Sequence, residues 1–178
     1  MSWRRLNSRV IWENPWMRVL EDRVINPRGG ENDYGHIQFL NRAVAIVPID
    51  DDEHTWLVGQ HRYTLDAYSW ELPMGGAPLN EDLLAAAQRE LLEETGLSAK
   101  QWTEVMRLHL SNSITDETGI VFVAEELAAG EPDFDETEVL DIRRLPLAEA
   151  VAMAESGEIT DALSVVALLR VARLRATS

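Results

Sequence analysis

The chain has no cysteine, few basic residues and no long apolar run, and each shortage removes a class of protein. Its 178 residues include no Cys, which excludes disulfides and thiolate metal sites and makes zinc a poor candidate. Lys and Arg number 16 against 31 Asp and Glu, which gives a formal net charge of −15. A protein so acidic is a poor partner for a nucleic-acid backbone. The acidic excess instead favours bound cations.

No segment has the composition of a membrane span or an export signal. The longest apolar segment, residues 162–174, is interrupted by arginines and is shorter than the ~20 residues that cross a bilayer. Residues 1–16 lack the apolar block of a signal peptide. With 46% hydrophobic residues the chain should fold around one core. We expect a soluble cytoplasmic protein whose partners include neither a membrane nor a nucleic acid.

Apolar periodicity predicts strands on both sides of one central helix. Residues 17–40 alternate apolar and polar residues around the turn sequence NPRGG, which predicts an antiparallel β-hairpin. Residues 43–50 and 55–63 flank an acidic turn and predict a second strand pair, whose first strand is buried on both faces. The stretch Glu81–Thr95 has helical spacing and composition, and Gly96 ends it.

The rest of the chain predicts three more strands and then two amphipathic helices, the second capped by Thr160 or Asp161. The predicted strands are residues 103–111, 119–127 and 139–145, and the helices are residues 146–157 and 160–175. Strands around one helix followed by terminal helices indicate a mixed sheet with helices packed on it. The fold class predicted is therefore α/β or α+β.

Three glutamates of the central helix share one face beside its apolar stripe. Glu90, Glu93 and Glu94 are spaced i, i+3, i+4, so their mutual repulsion requires an offsetting charge. Mg²⁺ prefers oxygen ligands and binds through one or two carboxylates together with substrate phosphates. Arg89 precedes Glu93 by four residues and can orient a carboxylate by a charge-assisted hydrogen bond. The spacing therefore favours a magnesium site on this helix.

Two glycines before the helix extend the pattern. Gly75 and Gly76 predict a loop without side-chain bulk, where backbone carbonyls can approach a metal. The pattern resembles a complete Nudix box, and its matching positions are Gly75, Glu81, Arg89, Glu90, Leu91, Glu93, Glu94, Gly96 and Leu97. From average residue usage, chance agreement at all of them has a probability of roughly 10⁻⁷.

Resemblance to the Nudix hydrolases implies a fold, a reaction and a metal site. The implied fold is a mixed sheet between helices. The implied reaction is cleavage of a nucleoside diphosphate linked to another group, with Mg²⁺, or Mn²⁺ in its place, activating a water. By position, Glu90 and Glu94 become metal ligands and Glu93 a further ligand or a base. The carbonyl of Met74 becomes a possible backbone ligand, and Arg89 a residue that orients the carboxylates.

Outside the box, from about residue 14 to residue 169, the chain resembles the ADP-ribose pyrophosphatase branch of that family. Two of the supporting segments are GQHRY and SWELPMGG. This resemblance implies a phosphate contact for one arginine, a base or ribose contact for a Trp-Glu pair, and a loop glutamate near the attacking water. The substrate-binding candidates are Arg62, Trp70, Glu71, Gly75 and Gly76, and the candidate bases in the acidic loop are Glu136 and Glu138.

The same resemblance implies two regions and a homodimer. Residues 1–42 would form an N-terminal strand region that pairs two subunits, and residues 43–178 would form the Nudix domain. One departure concerns the substrate, because residues 111–113 read Ser-Asn-Ser where the branch commonly has Ser-Pro-Gly. ADP-ribose leads, and other nucleotide sugars, nucleoside triphosphates and dinucleoside polyphosphates stay open. A non-catalytic ligand sensor is the alternative of another class.

Overall fold

The computed structural model describes residues 2–130 and 140–177, and its N-terminal part is a separate antiparallel sheet. The hairpin predicted over residues 17–40 is confirmed as β2 and β3. The additional strand β1 was not predicted, because every one of its residues is exposed and it therefore has no alternating buried face. The strands of this sheet are β1 (Arg4–Glu13), β2 (Met17–Ile25) and β3 (Glu31–Phe39).

A four-stranded mixed sheet forms the centre of the molecule, in the order β7-β4-β9-β8. Strand β4 runs parallel to β9, whereas the other two pairings are antiparallel. The mixed sheet predicted from the sequence is therefore confirmed. Its strands are β4 (Asn41–Pro48), β7 (Met74–Pro78), β8 (Leu97–His109) and β9 (Thr118–Ala129). The boundary proposed after residue 42 falls inside β4, whose second residue is Arg42.

Helices cover both faces of this sheet, as predicted. On one face, Val44 and Ile46 pack with Leu91 of the first helix, and on the other Val47 packs with Leu168 of the last. These five side chains are fully buried, so β4 is buried on both faces. The helices are α1 (Leu83–Thr95), α2 (Leu147–Ser156) and α3 (Ala162–Arg175). No helix within the described residues is long and apolar enough to cross a membrane.

The prediction that the two strands around the acidic turn pair with each other is wrong. The second of them, β5 (His54–Arg62), belongs to a third sheet in the order β10-β5-β6. The physical reason is that a strand has two edges, and β4 pairs with β7 along one and with β9 along the other. Strand β5 pairs instead with β10, whose Arg144 donates to Asp50 in the turn. The remaining strands are β6 (Ala67–Glu71) and β10 (Asp141–Pro146).

The ends of α1 are set by side-chain and backbone caps. Asp82 is the N-cap and accepts from the N–H groups of Leu84 and Ala85. The helix therefore begins two residues later than predicted, and Glu81 lies in the preceding turn. Gly96 ends it with φ of 71°, in the left-handed region that glycine adopts without strain, which confirms the predicted stop.

The N-terminus of α3 is capped by Asp161, one of the two residues predicted for that position. Its carboxylate accepts from the N–H of Ser164 at 2.8 Å. The Oγ of Ser164 in turn accepts from the N–H of Leu72 at 2.9 Å, in a fully buried position. The start of α3 is thereby tied to the segment between β6 and β7, where several predicted site residues lie.

Candidate active site

The glycine pair lies in strand β7 and not in a loop, which corrects the prediction. Gly75 is opposite Val44 in the antiparallel ladder with β4. A Cβ added to Gly75 would lie 2.1 Å from Cδ of Glu90 and 2.2 Å from both carboxylate oxygens. The predicted close approach therefore exists, but the approaching group is a carboxylate of α1. A side chain at position 75 would displace the Glu90 carboxylate, which lies directly against the backbone of β7.

The three glutamates of α1 differ in how deeply they are buried. Glu94 is 6% exposed, and its Oε2 accepts from the backbone N–H of Met74 at 2.9 Å. The side chain of Glu90 is 12% exposed, whereas that of Glu93 is 39% exposed. Glu90 and Glu94 therefore face the sheet, and Glu93 lies at the rim.

Arg89 joins these carboxylates into one network. Its Nη1 donates to Glu90 at 2.8 Å and to Glu93 at 3.0 Å, so the predicted contact with Glu93 is present. Its Nη2 donates to the carbonyl of Gly76 at 3.0 Å and to Glu81 at 3.3 Å. Burial alone would lower the pKa of Arg89, but its bonds to Glu81 and the charge of Glu90 outweigh burial and raise it. The guanidinium thus stays charged and offsets the repulsion between the carboxylates.

The donor set around α1 suits a hard divalent cation. The candidate ligand atoms, which are the oxygens of three carboxylates and the carbonyl oxygen of Met74, match the preference of Mg²⁺ and Mn²⁺. Gly75 provides the space in which the Glu90 carboxylate lies. Within residues 2–130 and 140–177, no three acidic or histidine side chains already surround a common point. The residues present therefore fit a metal in their chemistry, and the positive charge beside Glu90 and Glu93 in this structure is Arg89.

Arg62 and Glu71 form a fork-shaped ion pair beside this site. Nε and Nη2 of Arg62 donate to the two carboxylate oxygens at 2.9 and 2.5 Å, and Glu71 is only 3% exposed. The hydrogen bonds that Arg62 donates to Glu71 raise the pKa of Arg62 against the opposing effect of burial, and the charges of Asp161 and Glu94 add to the rise. Arg62 is therefore within electrostatic reach of the α1 carboxylates, while Glu71 is occupied in holding it.

Trp70 is half-buried and packs against neighbouring side chains. Its ring meets Tyr68 edge to face at a centroid distance of 5.6 Å, and it packs against the core shared with α2 and α3. A Cβ on Gly59 of β5 would lie 2.8 Å from this ring. Its contacts in this structure are those of a packed aromatic side chain, and the base or ribose contact stays a prediction. The candidate bases Glu136 and Glu138 lie outside the described residues.

Glu117, which precedes β9, was not among the predicted site residues. Burial raises its pKa, and the charges of Asp161 and Asp116 raise it further. The charge of Asp161 also raises the pKa of Arg62, so Glu117 and Arg62 share an electrostatic neighbour at the candidate site. Its only sequence signature is a turn-like SITDE segment, which also describes an ordinary surface turn.

A charged cluster in the N-terminal sheet was not predicted. Asp22 of β2 is 7% exposed and lies 3.1 Å from His36 of β3 and 3.9 Å from Arg5 of β1. Burial would raise the pKa of Asp22, but hydrogen bonds with Ser8 and His36 outweigh it and lower the pKa. The cluster borders a cleft of about 460 Å³ between this sheet and residues 112–116. Its members are far apart in sequence and share no spacing that could reveal them.

The comparison with known protein families decides the identity of this arrangement. Residues 39–165 match the family described as NUDIX domain. The chain belongs to the Nudix family. The Nudix chain is accordingly a hydrolase, and hydrolases of this family generally use divalent metal ions. Its residues 3–37 match a second family, described as Nucleoside diphosphate sugar hydrolase N-terminal domain.

Relatives extend this match over most of the Nudix chain. An ADP-ribose pyrophosphatase of Mycobacterium tuberculosis is 33% identical over 93% of this chain and 81% of its own length. An ADP-ribose pyrophosphatase of Bacillus subtilis is 34% identical over 71% of this chain and 69% of its own. A crystal structure of an ADP compounds hydrolase superimposes with a TM-score of 0.87 at 27% identity, covering 98% and 94% of the two chains. The likeness therefore includes the N-terminal sheet as well as the Nudix domain.

Proposed function

We propose that this chain hydrolyses the diphosphate bond of a nucleoside diphosphate sugar, with ADP-ribose as the leading substrate. The products would be AMP and ribose 5-phosphate, since the oxygen of water bonds to one phosphorus as the bridging P–O bond breaks. The observation that carries the proposal is the carboxylate face of α1 resting on the glycine backbone of β7. The names of the two pyrophosphatase relatives and the N-terminal family match support the substrate class.

The proposed cofactor is Mg²⁺, with Mn²⁺ as a substitute. Glu90, Glu93 and Glu94 would hold it, together with the carbonyl of Met74. A bound metal would neutralise charge on the diphosphate and activate a water. The chain itself contributes position, because Glu94 is fixed by the Met74 N–H and Glu90 by its seat on Gly75. A loop glutamate, Glu136 or Glu138, stays the predicted base.

Arg62 is the proposed phosphate contact. About a third of its side chain is exposed, and Glu71 fixes the plane of the guanidinium through two hydrogen bonds. A fixed, charged fork can pair with a phosphate at low entropic cost. Glu71 is thus a residue that orients Arg62, and a ribose contact through Glu71 would require that pair to open.

We further propose a cytoplasmic homodimer that pairs through β1. This strand is an edge with all ten residues exposed, and a row of unpaired backbone groups invites pairing with another strand. Six large apolar side chains on or near it are 43–62% exposed, namely Trp3, Leu6, Val10, Ile11, Trp12 and Trp16. Sedimentation of the wild type should give a dimer, and a monomer at micromolar concentration would remove this part of the proposal.

The activity is tested with a substrate panel. Purified protein and Mg²⁺ are incubated with ADP-ribose, ADP-glucose, GDP-mannose, UDP-glucose, a diadenosine polyphosphate and nucleoside triphosphates, and products are resolved by chromatography. Preferential release of AMP and ribose 5-phosphate supports the proposal. Preference for another nucleotide sugar would support diphosphate hydrolysis but contradict ADP-ribose as the leading substrate. The Ser-Asn-Ser sequence at residues 111–113 leaves this outcome open. No cleavage of any compound by metal-loaded protein would favour a ligand sensor.

A further inference from the structure

The guanidinium of Arg42 holds the turn that connects β7 to α1. Its Nη2 donates to the carbonyl oxygens of Pro78 at 2.9 Å and Glu81 at 2.6 Å. The same turn is closed by the N–H of Glu81, which donates to the carbonyl of Pro78 at 2.9 Å. Arg42 stands opposite Ala77 in the β4–β7 ladder, so it fixes the turn relative to the central sheet.

The turn matters because of the side chain that it carries. The backbone of Glu81 is held by Arg42, and the carboxylate of Glu81 contacts Nη2 and Nε of Arg89 at 3.3 and 3.5 Å. Arg89 then donates to Glu90 and Glu93. Two arginines thus hold the same turn from opposite ends, one by its backbone and one by its carboxylate.

We propose that Arg42 is a positioning residue for the carboxylate face of α1. It acts by fixing Glu81, which fixes Arg89, which orients Glu90 and Glu93. The position lies outside the box pattern, and no spacing in the sequence singles it out. The expected effect on metal binding rests on the proposed function. The expected effect on the orientation of the carboxylates in the metal-free protein is independent of the proposed function.

The hydrogen bonding of Arg42 separates positioning from a contribution to overall stability. Its Nε is buried and has no hydrogen-bond partner among the described residues. A buried donor without a partner lowers the stability of the folded protein. A replacement that lacks this donor removes that cost, which partly compensates for the loss of the two hydrogen bonds to carbonyl oxygens. Arg42→Met should therefore disturb the turn more than it disturbs the fold. Arg42→Lys keeps a charged donor that can reach the same carbonyls.

The test compares wild type, Arg42→Met, Arg42→Lys and a control, Arg107→Met. Arg107 bonds to Glu104 on the far strand β8, and its side chain is 59% exposed. The first readout is the ¹³C carboxyl shifts of Glu90 and Glu93 without metal, and the second is Mn²⁺ affinity by electron paramagnetic resonance. We expect Arg42→Met to move both shifts and to weaken Mn²⁺ binding about tenfold, because partners of ligand-orienting groups typically contribute that much.

Partial recovery of both readouts in Arg42→Lys, with no change in Arg107→Met, completes the expected result. Unchanged carboxyl shifts in folded Arg42→Met would overturn the positioning role, whatever the Mn²⁺ affinity. Shifts that move equally in Arg107→Met would overturn it as well. If the wild type bound no Mn²⁺ and cleaved no nucleotide, the proposed function would fail. The metal-free shifts would then still decide the role of Arg42.

Discussion

Replacing Gly75 by alanine should disable the site while leaving the fold intact. A Cβ at this position would lie 2.1–2.2 Å from the carboxylate atoms of Glu90, where ordinary contact requires 3.4 Å or more. The carboxylate must therefore move by more than 1 Å. A misplacement of that size in catalytic machinery costs about 10²-fold in rate. This corresponds to about 2.7 kcal/mol of lost transition-state stabilisation.

The stability cost should be smaller than the catalytic cost because Glu90 is the far end of a flexible side chain. Overpacking typically costs about 1–3 kcal/mol, and displacement of the flexible end of one side chain belongs at the low end of that range. Each kcal/mol lowers Tm by roughly 2–4 °C in a chain of this size. We therefore expect kcat/KM for ADP-ribose to fall about 10²-fold while Tm falls by only a few degrees.

Two glycine variants serve as controls in the same assay. Gly35→Ala adds its Cβ where nothing lies within 4 Å, so it should change neither activity nor Tm. Gly76→Ala alters the same strand as Gly75, but its Cβ would meet the side chain of Asn41 at 2.8 Å instead of Glu90. Its activity loss should therefore be smaller than that of Gly75→Ala. Full activity in Gly75→Ala would refute the claim that catalysis requires the Glu90 carboxylate to lie against the β7 backbone at Gly75.

Three further predictions concern the groups around the site. Arg62→Met leaves the buried Glu71 carboxylate without its partner, so the free energy of unfolding in urea should fall by roughly 2–3 kcal/mol, which is less than for a fully buried pair because Arg62 is partly solvated. The double variant with Glu71→Gln should recover part of that stability. An unchanged free energy of unfolding in Arg62→Met would contradict this prediction. Ser164→Ala leaves the N–H of Leu72 unpaired and should cost about 1–3 kcal/mol, whereas a cost near zero would show that the bond contributes nothing. The pKa of Glu117 is raised, so the stability linked to its protonated form is complete below the ordinary glutamate value and is lost as pH rises through the raised one. Glu117→Gln should therefore stabilise the protein more at pH 7 than at pH 4, and equal effects at both would contradict the shift.

The architecture was accessible from sequence where burial leaves a periodic pattern. The apolar run of β4 predicted a strand buried on both faces, and Ala, Leu and Glu at helical spacing predicted α1. Strand β1 was not predicted, because all its residues are exposed and its sequence therefore lacks an alternation of buried apolar and exposed polar residues. The pairing of β5 was wrong because strand neighbours depend on contacts such as Arg144 with Asp50, which are 94 residues apart.

The candidate site was accessible where the helix alone fixes geometry. The spacing of Glu90, Glu93 and Glu94 placed them together, and the i,i+4 spacing placed Arg89 beside Glu93. The contact between Gly75 and Glu90 could be predicted only in part, because a glycine indicates that some group approaches the backbone closely but does not identify that group. Arg42, Ser164 and the Asp22 cluster act through contacts across sheets and helices, and their spacing in sequence carries no trace of those contacts.

The central claim is that the α1 carboxylates support cleavage of a nucleoside diphosphate bond. Its most direct test follows ADP-ribose by ³¹P NMR with Mg²⁺ and either wild-type protein or Glu94→Gln, with circular dichroism to show that both are folded. The account predicts that the diphosphate resonances give way to two phosphomonoester resonances with the wild type, and that this conversion is nearly abolished in Glu94→Gln. Full conversion by folded Glu94→Gln would contradict the role of the carboxylates. Intact ADP-ribose with metal-loaded wild type, and no cleavage elsewhere in the panel, would contradict the proposed activity.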